Sequence, residues 1–165
     1  MEDRRLVKEA LDAEDILSAQ GDFDGAFAVL DAAIQSHPEE PWLLARRGYL
    51  LRSLERWEDA IADFDAALAL KPTAATTQYC RGTCLATFGR FDAAIEAFQG
   101  VLALQPAAAD AYMEIGTINE VLGNREKAIA AYKSAIEIDP AKYPRLPDVI
   151  STLERELSAG SSNGR

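Results

Sequence analysis

Apolar positions along the chain recur at the helical period and are interrupted at regular places. Between residues 41 and 74, Leu44, Arg47, Gly48 and Leu51 stand at i, i+3, i+4 and i+7, which predicts one helix. A break follows at Leu54-Glu55-Arg56-Trp57. Ala60, Ile61, Phe64, Ala67 and Leu68 then resume helical spacing as far as Pro72, which stops the helix because it lacks an N–H and its ring clashes with the preceding turn. The next stretch repeats this order with Gly82 and Leu85, the turn Gly89-Arg90-Phe91, then Ala94, Ile95, Phe98, Val101, Leu102 and Pro106. A further one has Tyr112, Ile115 and Gly116, the turn Gly123-Asn124, then Ala128, Ile129, Tyr132, Ala135, Ile136 and Pro140.

Three independent series share one period. Pro38, Pro72, Pro106 and Pro140 lie 34 residues apart, as do Ala26, Ala60, Ala94 and Ala128, and as do Gly48, Gly82 and Gly116. The frame divides into units 7–40, 41–74, 75–108 and 109–142. Each unit reads as two helices of ~14 residues, each about 21 Å long. Glycine at the eighth place and alanine at the twentieth let the two helices approach closely. Glycine in the turn supplies positive φ after the first helix. Phe23, Trp57 and Phe91, beside the turns, are expected to plug the corners. Neither helix buries its stripe alone, so the units must stack.

This pattern resembles the tetratricopeptide repeat, the 34-residue helix–turn–helix module, over residues 7–142. Gly48, Ala60, Phe64, Ala67 and Pro72 carry the resemblance, with two further recurrences. It implies an all-α fold, an α-solenoid of antiparallel helix pairs in four units, the first degenerate. That first unit has Ala10, Ala13 and Glu14 where the family prefers an aromatic, a leucine and a small residue. A buried Glu14 is costly unless paired, so the first helix is expected to tilt or to leave that face wet. In the fourth unit Arg125 replaces the aromatic plug, and that turn is expected to be looser. Pro144 and Pro147 set the entry, and Leu146, Ile150, Leu153 and Leu157 form one stripe, which predicts a capping helix over 147–158 with a polar outer face. One domain over 1–158 follows, with a disordered tail at 159–165.

Composition narrows the function. The 165 residues are 48% hydrophobic and 27% charged, the balance of a soluble globular protein. Seventeen Lys+Arg against 27 Asp+Glu give −10, which argues against nucleic acid and anionic membrane as partners. No signal-like or membrane-length apolar run is present, so a cytoplasmic protein is expected. Two cysteines and one histidine exclude a disulfide scaffold and a His- or Cys-rich metal site. His37 sits beside Pro38 in an inter-unit loop, Cys80 and Cys84 lack further zinc ligands, and no glycine loop cradles phosphate. No catalytic residue, cofactor or metal is expected.

A binding surface is expected instead. In stacked pairs of this kind the first helix of each unit lines the inner face. Candidate groove residues are Lys8, Leu11 and Asp15 in the first unit; Trp42, Arg46, Tyr49 and Arg52 in the second; Tyr79 and Thr83 in the third; and Met113 and Thr117 in the fourth. Large apolar groups on such a face and the basic island Arg46, Arg47, Arg52 and Arg56 suggest an adaptor holding a peptide or short helix with acidic and apolar residues. Plainer roles remain open: Trp42 covering a helix start, and the arginines pairing with Asp12, Asp15 or Glu58. The family's carboxylate clamp for heat-shock chaperones is absent, since its places hold Leu11, Asp15, Arg46, Thr76 and Cys80. The alternatives are a small cytosolic chaperone of a secretion-type client, and a scaffold that associates weakly with itself through its ends.

Overall fold

The computed structural model describes residues 2–162. Among them are nine α-helices: α1 (Glu2–Ala19), α2 (Phe23–Ser36), α3 (Pro41–Ser53), α4 (Trp57–Leu70), α5 (Ala75–Thr87), α6 (Phe91–Leu104), α7 (Ala109–Val121), α8 (Arg125–Ile138) and α9 (Leu146–Ser162). Helices α1 and α2, α3 and α4, and α7 and α8 form helix pairs on the 34-residue frame. The chain divides into two compact units, Met1–Cys84 and Leu85–Arg165.

The turns explain where helices stop. Gly21, Gly89 and Gly123 follow α1, α5 and α7 with φ of 78°, 79° and 74°. The second pair places Glu55 at that point, with φ 59°. A side chain there costs about 1 kcal/mol, because Cβ crowds the following carbonyl. Glu55→Gly is therefore expected to raise stability by about 0.5 kcal/mol, after the greater freedom of glycine in the unfolded chain is discounted. A lowered denaturation midpoint would contradict this.

In the first unit, α1, α2, α3 and α4 pack in succession. Val7, Ala33 and Leu43 form one buried cluster, and Ala26, Leu30 and Leu50 another. Phe64 is wholly buried and meets the Tyr49 ring at a centroid distance of 5.2 Å. Gly48 makes this possible, since a Cβ there would lie 2.8 Å from the Phe64 ring. In the second unit α6, α7, α8 and α9 pack in succession. A Cβ on Gly116 would lie 2.4 Å from the buried Tyr132 ring. Ala128, Ile129, Tyr132 and Ala135 are covered by Leu146, Ile150 and Leu153 of α9.

The first pair departs from expectation in an instructive way. Glu14 occupies the phase of Gly48 and Gly116, yet that face is not wet: Glu14 is 2% exposed. Its carboxylate accepts from Ser18 Oγ at 2.6 Å and from Arg46 Nε on α3. By phase, residue 30 stands where Phe64 and Tyr132 stand, and it is leucine. The smaller side chain leaves room for a larger one at position 14. Ile16 also differs from its counterparts in the later repeats. It is 58% exposed, whereas Leu50, Cys84 and Ile118 at the same phase are 6%, 0% and 3% exposed. No earlier helix among the described residues covers it.

Other boundaries shift. Helix α9 begins at Leu146 and runs to Ser162, so Ala159–Ser162 are helical rather than part of a tail; residues 163–165 lie outside the described residues. Trp57 and Phe91 are half-buried at their corners, but Phe23 is 37% exposed. Arg125 turns its charge to α9, pairing with Glu156 at 2.9 Å.

Candidate functional site

Helices α1 and α3, the end of α4 and the start of α5 enclose one open cleft of ≈ 740 Å³ in the first unit. Pro41 at the first position of α3 fixes the entry of that helix, since its missing N–H costs nothing there. Trp42 follows directly and points outward. It is 57% exposed, and its indole N–H donates to Glu40 Oε2 at 2.6 Å. Leu11, Ala45 and Tyr49 line it from α1 and α3, and Ala67, Lys71, Ala74 and Thr77 line it from α4, the connector and α5. Small side chains on both sides leave the hollow. Tyr49 is half-buried, with a side-chain hydrogen bond to Thr77; burial raises its pKa above the ordinary value.

Of the residues named from the sequence, Lys8, Leu11, Asp15, Trp42, Arg46 and Tyr49 come together in this cleft. Arg52, Tyr79 and Thr83 belong to the same unit but do not line it. Met113 and Thr117 belong to the second unit, where Met113 packs on the core cluster beneath α9 and Thr117 Oγ1 donates to the Met113 carbonyl oxygen at 3.0 Å. The sequence reading missed the wall formed by Ala67, Lys71, Ala74 and Thr77, because it looked only to first helices. The proline at 72 between two alanine-rich segments was the available signal.

The basic island is internally engaged. Arg46 binds both Glu14 and Asp15. Arg47 grips Asp63 through two bonds of 2.8 Å and reaches Asp31 at 2.6 Å. Asp63 above all, with Asp31, stabilises the charged guanidinium and raises its pKa further. Arg56 pairs with Asp59 at 2.6 Å and lies over the Phe27 ring. Arg52 alone of the four forms no ion pair among the described residues. The pairing found is therefore Asp15 for Arg46, as the plainer reading had it, but neither Asp12 nor Glu58 takes part.

Cys80 and Cys84 are 9% and 0% exposed, and burial pushes both thiols up, Cys84 to about 11, against the opposing charge of Arg52. Thiols so placed are poor nucleophiles. A thiol–disulfide exchange reagent at about pH 8 is expected to label neither in the folded protein and both after denaturation. Rapid labelling of Cys80 under native conditions would contradict that burial. Among the described residues, no group of three or more His, Cys, Asp and Glu is placed to hold a metal ion. No helix among them is long and apolar enough to cross a membrane.

The tetratricopeptide repeat family model matches residues 6–75 and 81–143. The chain belongs to the tetratricopeptide repeat family. No curated protein matches. Among solved structures, a crystal structure of MamA is 28% identical with a TM-score of 0.81, covering 88% of this chain and 84% of that one. MamA from Desulfovibrio magneticus RS-1, at 22% identity, a TM-score of 0.76 and coverage of 92% and 96%, speaks to the fold alone. YrrB, described as a tetratricopeptide protein with an unusual peptide-binding site, is 26% identical with a TM-score of 0.73, covering 82% of this chain and 70% of that one. The all-α repeat architecture is thus established, and it supports a protein–protein interaction module. Proteins built of this repeat are generally non-enzymatic.

Proposed function

We propose that this protein is an adaptor that captures a peptide or short helix of a partner in the cleft of its first unit. One observation carries the reading: an indole more than half exposed stands at the rim of an alanine-walled hollow, tethered by Glu40 rather than packed into the core. Tryptophan in that setting gives large contact area at low cost in side-chain entropy, which is why it anchors interfaces. YrrB, of the same fold and described with a peptide-binding site, makes the use of such a surface reasonable. In the second unit the exposed aromatic Phe88, at 45%, does not line the hollow formed by Glu120, Arg125 and α9.

The test is affinity purification with mass spectrometry, comparing wild type with Trp42→Ala. Because Trp42 is mostly exposed, the substitution is expected to change stability by only about 0.5 kcal/mol. Partners captured by wild type and lost by the variant, at equal thermal stability, support the reading. An unchanged set of partners contradicts it. A single aggregation-prone client among the lost partners would favour the chaperone form of the same proposal.

A further inference from the structure

The charges around the cleft point to the chemistry of its ligand, given that the cleft binds a peptide at all. The first unit, residues 1–84, holds 16 Asp+Glu and 9 Lys+Arg, a net −7 out of the chain's −10. The arginines that suggested an acidic partner are held by carboxylates of their own, Arg52 excepted, and Arg52 does not line the cleft. Arg46 on the cleft lining is shared by Asp15, also on the lining, and by Glu14, buried behind it, so that trio carries a net negative charge. Asp12 is exposed and forms no ion pair among the described residues. It lies three residues before Asp15 on α1, so the two carboxylates share one helix face. The lining carries three cations, Lys8, Arg46 and Lys71, and three carboxylates, Asp12, Asp15 and Glu40, and the buried Glu14 bound to Arg46 adds a fourth negative charge.

We infer that the cleft selects a segment with basic residues beside a large apolar one. The apolar side chain fills the hollow below Trp42, between Ala45, Ala67 and Ala74. A lysine or arginine of the ligand meets Asp12 and the outer oxygen of Asp15. An acidic segment would enter against the field of the unit, whereas a basic one is steered in by it.

The test selects from a random peptide library displayed on phage, using the full chain as bait, and carries the enriched peptide forward in synthetic form. The expected peptides hold more Lys and Arg than Asp and Glu around a Trp, Phe or Leu. Their binding is expected to weaken roughly tenfold in Asp12→Lys, to be lost in Trp42→Ala, and to fall as salt screens the pairing. Acidic or neutral peptides lost in Trp42→Ala but unharmed by Asp12→Lys would overturn the inference and leave the cleft as a peptide site. Peptides insensitive to Trp42→Ala, or no enrichment, would overturn both.

Discussion

Arg46→Ala is expected to destabilise the protein by about 3 kcal/mol, because it strips the counter-ion from a carboxylate that stays buried. Glu14 is 2% exposed and would keep only the Ser18 hydroxyl. Hydration cannot replace the guanidinium without opening the contact between α1 and α3. Asp15 would lose its partner too, but it is exposed, so that loss counts for little. The control is the double variant Glu14→Ala/Arg46→Ala. Removing both charges leaves no unpaired ion, and an alanine at position 14 approaches the glycine of the other repeats. The double variant is expected to recover at least half of the loss, as read by urea denaturation. Equal or greater destabilisation in the double variant would mean that the pair is not what costs the single variant its stability.

Gly116→Ala is expected to cost about 3 kcal/mol, at the upper end of ordinary overpacking. Its new Cβ would sit 2.4 Å from the Tyr132 ring. That ring cannot swing aside freely: it is 2% exposed, and its hydroxyl donates to Glu120 Oε2 at 2.7 Å. Burial also pushes the Tyr132 phenol up to about 12. Since the raised pKa favours the protonated form in the folded state, the associated stability is present at neutral pH and disappears as pH rises from about 10 through about 12. The first repeat suggests the remedy. It combines a large residue at position 14 with Leu30 where Tyr132 stands, so Gly116→Ala/Tyr132→Leu is expected to be more stable than Gly116→Ala alone. Additive losses in the two single variants would contradict a steric cause.

This exchange of a glycine–aromatic pair for a glutamate–leucine pair marks the border of what sequence could disclose. The glycine, alanine and proline series reflect backbone sterics, which repeat with the backbone, so helices and their pairing were legible from residues such as Gly48 and Pro72. The fate of Glu14 depended on a side chain in the next repeat, 32 residues on, and helical phase gives a face, not a partner. Most partners of the arginines were hidden for the same reason. Arg47 looked like part of an open basic island, although Asp31 and Asp63 stand 16 residues to either side of it, and Asp65 and Arg81 repeat that spacing. Six of the eleven residues named for a groove, Leu11, Trp42 and Tyr49 among them, line the cleft, since helical phase places them on one face of α1 and α3. The wall from Ala67 to Thr77 was not legible, because it is built by a helix end and a connector whose path has no periodic signature.

Chemical-shift mapping of the isotope-labelled protein with a display-selected peptide bears most directly on the cleft as the working surface. The largest shifts are expected at the Trp42 indole N–H and at the backbone amides of Leu11, Ala45, Tyr49 and Thr77. Shifts confined instead to the far side of the unit, around Asp31, Arg56 and Ala62, would contradict it.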